Sequence, residues 1–205
     1  MSRTSPLNVL FVAAAGPRLG YGHLVRSGIL ASAMGVKPHV ALRASSATRQ
    51  RARALGWRVH RTMPTLVRTM APDLIVIDDP SSVVASRWAR AGRERHIPVV
   101  AISDFGLGRT SADLTIDGSL VAASDGRVAD LQGPNFAILD PVIDGLRRQQ
   151  RPRAPRQVVI ALGGGSYVRG VGCDIARQIH TAVPDADVLL APGFGAATLP
   201  ALPAG

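Results

Sequence analysis

Chemistry in this chain is concentrated in one short stretch, Leu19-Gly20-Tyr21-Gly22-His23-Leu24-Val25-Arg26-Ser27, set between an apolar run ending near Ala15 and an apolar segment reaching Met34. The order reads as strand, glycine loop, helix. An imidazole in the first turn of that helix would meet the positive end of the helix dipole, which is expected to help keep the ring neutral near pH 7, and such a ring can accept a proton. Arg26 follows three residues later and projects from the same side of the helix, so a charge-bearing substrate could meet base and cation together. Gly20 and Gly22, with Tyr21 between them, form a loop whose backbone can approach a phosphate. These three and Arg26 are candidate substrate-binding residues, and His23 is the candidate base. The plainer alternative makes the glycines turn residues, His23 a helix-start residue bonded to its own loop, and Arg26 a solvated charge. Gly16-Pro17-Arg18-Leu19-Gly20-Tyr21-Gly22 lacks the G-x-G-x-x-G spacing, and Pro17 stiffens it, so it is not a dinucleotide fingerprint.

Carboxylates able to work with His23 close two later apolar runs. Asp78 and Asp79 follow Leu74-Ile75-Val76-Ile77, and Asp104 follows Val100-Ala101-Ile102-Ser103. At a strand's carboxyl end such groups can orient an imidazole or substrate hydroxyls; Asp78 is the candidate catalytic partner, and Asp79 and Asp104 are candidate substrate contacts. The alternative is a helix cap beside a solvated turn carboxylate. His39, His60, His96 and His180 share no repeated spacing and read as structural. A lone Cys173 excludes an internal disulfide and a multi-cysteine zinc site. With no H-x-x-x-H and no clustered carboxylate set, no metal and no cofactor are expected.

The elements that must position these groups alternate between two periodicities. Short apolar runs at Leu7 to Ala14, His39 to Leu42, Trp57 to His60, Asp73 to Asp78, Ile97 to Ile102 and Ala112 to Ile116 read as strands buried on both faces of a parallel sheet. Helices are expected over Gly22 to Met34, Ser45 to Leu55, Pro64 to Met70 and Ser82 to Arg95, the last with serines available to cap it. This β-α alternation predicts right-handed crossovers and a doubly wound, Rossmann-like α/β fold. The polar, proline-broken stretch Arg147 to Arg156 reads as an exposed linker. Beyond it the pattern restarts with a strand at Gln157 to Leu162, a loop Gly163-Gly164-Gly165-Ser166, a helix at Val168 to Val183 and a strand at Asp187 to Leu190. The expected organisation is a first lobe over residues 1–146, a linker over 147–156, and an incomplete second Rossmann-like lobe over 157–205, with Gly163 and Gly164 as further candidate substrate contacts.

Composition narrows the classes. The chain has 205 residues, 46% of them hydrophobic, enough for a sizeable core. Its formal charge is +10, and of its 24 basic residues Lys37 is the only lysine. The arginines are scattered and aromatics are 4% of the chain, leaving few stacking platforms, so no specific nucleic-acid partner is expected. No apolar run approaches the ~20 residues that a spanning helix needs. Arg3 followed by Leu7 to Ala15 imitates a secretory leader, but the following glycine loop and helix need this run as their strand, and a cytoplasmic location is expected.

Two lobes of this kind resemble the GT-B sugar-nucleotide enzymes. The segment Gly20-x-Gly22-His23-x-x-Arg26 resembles the signature of the sugar-nucleotide hydrolases of the pseudaminic acid pathway and related spore-coat polysaccharide proteins. Leu74 to Asp79, Val100 to Asp104, Ala112 to Asp117, Gly133 to Leu139 and Leu162-Gly163-Gly164 resemble that family's later segments in the same order. Val12 and Ala14 stand where the family usually carries Arg and Asp, Gly165-Ser166-Tyr167 lacks its acid, and the family's second lobe runs well past the position of Gly205. The resemblance implies hydrolysis of a UDP-linked acetamido-deoxy sugar, with His23 as proton acceptor or relay for the attacking water. A GT-B glycosyltransferase using a UDP-sugar donor shares the same features, and the departures suit a non-catalytic, truncated sugar-nucleotide-binding remnant. Neither the sugar nor the oligomeric state follows from these residues.

Overall fold

A computed structural model describes residues 7–120, 126, 128–145, 157–163 and 168–191. They divide into two compact units, one of residues 1–15 and 23–140 and the other of 16–22 and 141–205.

The first unit is built on a seven-stranded sheet. Its elements in chain order are β1 (Val9–Ala14), α1 (Gly22–Ala33), β2 (His39–Arg43), α2 (Ser46–Ala54), β3 (Arg58–His60), α3 (Leu66–Met70), β4 (Leu74–Asp78), α4 (Ser82–Arg93), β5 (Val99–Ser103), β6 (Leu114–Asp117) and β7 (Leu131–Gln132), followed by a short 3-10 turn at Pro134–Phe136. The strand order is β3-β2-β1-β4-β5-β6-β7 and every pairing is parallel. This is the doubly wound α/β fold. All six residues of β1 are buried, as the unbroken apolar run requires of a central strand covered on both faces.

Alternation along β1 divides the core. Leu10 and Val12 join Ile75 and Ile77 of β4, Val67 of α3 and Ala85, Trp88 and Ala89 of α4 in one apolar cluster. Phe11, between them, sets its ring edge-on to Trp57 with centroids 6.1 Å apart. Serine hydroxyls cap the two arginine-rich helices: Ser45 accepts from the Thr48 N–H and Ser81 from the Val84 N–H. α1 buries Leu24, Ser27 and Ala31, while Val25 is 53% exposed.

The second unit contains α5 (Val142–Gly145), β8 (Gln157–Ile160), α6 (Val168–Ala182) and β9 (Asp187–Leu190). β8 and β9 pair in parallel from Gln157 opposite Asp187 to Ile160 opposite Leu190, and Cys173 and Ala176 of α6 are buried. Within its loop 16–22, Gly16 and Gly20 form an antiparallel bridge in which each N–H donates to the other's carbonyl. β7, the 3-10 turn and α5 are too short to leave a periodic trace in the sequence. The expected linker over 147–156 and the residues after 191 lie outside the described residues.

Candidate active site

The chain lays down β1, β2 and β3 in one direction across the sheet and then returns to place β4 against the other side of β1. In open α/β sheets the crevice beyond the strand ends at such a reversal is where ligands bind. α1 opens there with Gly22, so His23 lies in its first turn, where the Ser27 hydroxyl donates to the His23 carbonyl at 2.8 Å. β4 ends there with Asp78, in register with Ala13 of β1. Residues 55 positions apart in the chain thereby meet: His23 Nδ1 lies 2.8 Å from Asp78 Oδ1.

Arg26 completes the cluster. Its Nε donates to Asp78 Oδ2 at 2.8 Å and Nη2 to Asp78 Oδ1 at 2.6 Å, while Nη1 and Nη2 donate to the two Asp104 oxygens at 2.6 and 2.8 Å. Both Nη2 hydrogens are therefore directed at carboxylates, and the 3.4 Å separation between Nη2 and His23 Nδ1 has no hydrogen to fill it. This count assigns the proton of the neutral imidazole to Nδ1, donating to Asp78, and leaves the lone pair on Nε2. Burial pushes the Asp78 carboxyl up, but hydrogen bonds from Arg26 and His23 and the Arg26 charge outweigh it and hold the group below the ordinary carboxylate range. Burial acts to lower the Arg26 pKa, and the bonds to Asp78 and Asp104 reverse that, so the guanidinium stays charged. Arg26 is thus largely committed to two carboxylates, and its geometry is that of a clamp on Asp78 more than of a free cation awaiting substrate.

Asp79 has a separate set of partners. Arg43, at the end of β2, donates Nε to Oδ2 at 2.8 Å and Nη2 to Oδ1 at 2.6 Å, and the Ser81 N–H donates to Oδ1 at 2.9 Å. Asp78 and Asp79 are each only 1% exposed, which overturns the solvated-turn alternative. These three hydrogen bonds to the Asp79 oxygens tie β2 to the start of α4. The loop after β5 closely approaches the Asp79 backbone: Gly108 has φ +75°, and a Cβ there would lie 2.3 Å from the Asp79 carbonyl oxygen.

Sequence reasoning missed Asp117 as a site-shaping residue, although it closes an apolar run as Asp78 does. It is fully buried at the end of β6 and accepts from the Ser103 hydroxyl and from the N–H groups of Gly106 and Ser119. Burial raises its pKa, and hydrogen bonds from the Ser119 hydroxyl and N–H, the Gly106 N–H and the Ser103 hydroxyl outweigh that and lower it. The loops it holds border a cavity of about 270 Å³ lined by Arg26, Asp104, Phe105, Ser119 and apolar residues of β5, β6 and the 136–139 segment.

Gly20, Tyr21, Gly22 and Gly163 belong to the second unit. Gly20 takes a left-handed turn conformation, Gly22 has open space where a Cβ would stand, and Tyr21 lies between them. Gly163 follows β8 with φ +90°, and Gly164 lies outside the described residues. Among the described residues no group of three or more His, Cys, Asp or Glu is placed to hold a metal ion, and no helix is long and apolar enough to cross a membrane.

No protein family and no curated protein matches the sequence. Among solved structures, MurG of Acinetobacter baumannii is similar with a TM-score of 0.50 and 11% identity, over 92% of this chain and 69% of that one. At that identity the likeness is one of fold, and together with the strand order it makes this chain a Rossmann-like α/β protein with a GT-B-like fold.

Proposed function

We propose that the protein displaces the nucleotide from a UDP-linked sugar with an oxygen nucleophile, water in the leading reading, and that His23 is the base. The observation that carries this is the His23–Asp78 contact, which directs the Nδ1 proton at a carboxylate and leaves Nε2 as acceptor. In the step proposed, Nε2 takes a proton from water as the water oxygen bonds to the anomeric carbon. The bond from that carbon to the diphosphate oxygen breaks, its electron pair leaves with UDP, and the imidazolium later returns its proton to solvent. His23, Arg26, Asp78 and Asp104 together carry one net negative charge before proton transfer and none after it, so the cluster favours the imidazolium as it forms. Asp78 is a positioning residue that sets the tautomer, and Arg26 and Asp104 hold Asp78 in place. Gly20, Tyr21 and Gly22 are proposed as backbone contacts to the substrate, and Gly163 and Gly164 as a phosphate-approaching loop of a second lobe that begins at 157. A sugar-nucleotide substrate suits a cytoplasmic enzyme.

The fold likeness to MurG supports a second reading in which the nucleophile is an acceptor hydroxyl, making the protein a glycosyltransferase. UDP release from a panel of UDP-acetamido sugars separates the two: release in buffer alone supports the hydrolase, and release only with an added sugar acceptor supports the transferase. His23→Asn is expected to lower the rate by about 10²–10⁴ while leaving the melting temperature nearly unchanged. A rate within about threefold of wild type removes His23 from the chemistry, and no release under either condition leaves a sugar-nucleotide-binding role.

A further inference from the structure

The loop after β5 holds a conformation that the interior of the protein does not repay. Phe105 has φ +51°, in the left-handed region that bulky residues avoid, yet its side chain is 61% exposed. The conformation is imposed from several sides. The Phe105 N–H donates to the Ser119 hydroxyl at 2.9 Å, the Gly106 N–H to the buried Asp117 carboxylate at 3.1 Å, and the Leu107 N–H to the Asp104 carbonyl at 2.8 Å. Strain over-determined in this way clusters at ligand-binding sites, and here it displays a large aromatic ring that ordinary folding would bury.

That ring lines the cavity of about 270 Å³ whose wall includes Arg26 and Asp104 of the His23 cluster. Its volume lies just under the ~300–1,000 Å³ typical of drug-sized ligands, so it admits one ring and not a whole sugar nucleotide. Ile102, Ile116 and Leu139 supply apolar wall. Gly118 lets the 136–139 segment close in, for a Cβ there would stand 2.7 Å from Ala137 Cα. The polar side is acceptor-rich: the Asp104 side chain is 37% exposed beyond its bonds to Arg26, and the Ser119 hydroxyl, whose hydrogen is directed at Asp117, accepts from the Phe105 N–H and keeps a second lone pair. A diphosphate would be repelled by Asp104. An uncharged pyranose fits, with hydroxyls toward Asp104 and Ser119 and its C–H face toward the electron-rich face of an aromatic ring.

We propose that Phe105 is the specificity-determining platform for an uncharged pyranose ring held in this cavity. The proposal rests on the sugar-nucleotide reading above, but its test does not require turnover. Binding of methyl N-acetylglucosaminide and of methyl glucoside is followed by saturation-transfer NMR, with UDP as a contrast, alongside thermal unfolding. Phe105→Gly is expected to lose pyranoside binding by tenfold or more and to melt roughly 2–4 °C higher, because glycine relieves the left-handed strain. Phe105→Tyr, which keeps the ring, is expected to bind as wild type does. The proposal is overturned if wild type binds neither pyranoside, if Phe105→Gly binds as well as wild type, or if Phe105→Gly melts lower and so shows the ring to be structural. The two ideas fail separately. Loss of turnover in His23→Asn with unchanged pyranoside binding in Phe105→Gly removes only the platform. Phe105-dependent pyranoside binding without UDP release from any sugar removes only the chemistry.

Discussion

Histidines stand beside arginines in two regions of this sheet, and the two regions work in opposite senses. At the reversal between β1 and β4, His23 faces a buried carboxylate that Arg26 holds in place. At the β2–β3 edge, His39 and His60 face each other, with Arg58 Nη1 3.4 Å from His39 Nε2. Their ring planes differ by 9° and their centroids lie 5.3 Å apart, but His39 Nδ1 and His60 Nε2 are only 3.1 Å apart. Rings so placed lie edge to edge in nearly one plane, joined by an N–H···N hydrogen bond and not stacked face to face. Burial, the charge of His60, Arg58 and Lys37 lower the His39 pKa, and burial and Arg58 lower that of His60. The same side chain thus meets a buried carboxylate in one region, and in the other is held from protonation by burial and nearby cations.

The sharpest way to break this contrast is to remove the carboxylate. Asp78→Asn gives His23 a surrounding without that negative charge, and an amide NH₂ can donate to Nδ1 and so transfer the ring proton to Nε2. UDP release is expected to fall by about 10²–10⁴, as it does for loss of the base itself. An Asp78→Asn variant that folds and turns over at the wild-type rate would show that the carboxylate does not orient the imidazole.

A second test separates the neighbouring carboxylates. Arg43→Ala leaves Asp79 buried with only the Ser81 N–H as a described partner, and because Arg43 is 39% exposed the expected loss is about 1–3 kcal/mol. For a chain of this size that lowers the melting temperature by roughly 5 °C. Arg43 is not among the residues lining the cavity, so pyranoside binding measured well below the new melting temperature should persist. A loss of less than about 1 kcal/mol would mean that Asp79 is not the structural member of the pair.

The smallest expected effect lies at the sheet edge. Because folding lowers the pKa of His39 and His60 below the ordinary value of 6.5, their contribution to stability is complete above that pH. It is lost as pH falls through 6.5 toward the folded-state values. Melting temperature should therefore decline between pH 7.5 and pH 5.5, and the decline should shrink in the double variant His39→Gln and His60→Gln. An equal decline in both proteins would assign it to other groups.

How much of this was readable in the chain can be judged residue by residue. The runs Val9–Ala14 and Leu74–Asp78 are so continuously apolar that only strands buried on both faces accommodate them, and the glycines before His23 announce a loop and a helix start. Asp78 was legible as a candidate for the same reason, since an acid ending a buried strand must find a partner or reach water. Asp117 carried the same signal and was passed over, because nothing local distinguishes an acid that serves the loops from one that serves the chemistry. β7 and the 3-10 turn at Pro134–Phe136 are shorter than one period of any pattern, and that turn helps wall the cavity.

The sequence by itself determined the α/β class, the parallel strands and the placing of His23 and Arg26 on one side of a helix start, because these follow from local periodicity and from glycine and serine stereochemistry. Only the tertiary structure decided that Arg26 would be clamped between Asp78 and Asp104, that Asp79 would be taken by Arg43, and that Phe105 would be held strained at a cavity mouth. Those outcomes depend on which strand returns beside β1 and on which donors reach each buried oxygen. Hydrogen-bond satisfaction across 36 to 78 residues of chain is settled by the packing of whole elements, for which one-dimensional spacing carries no information.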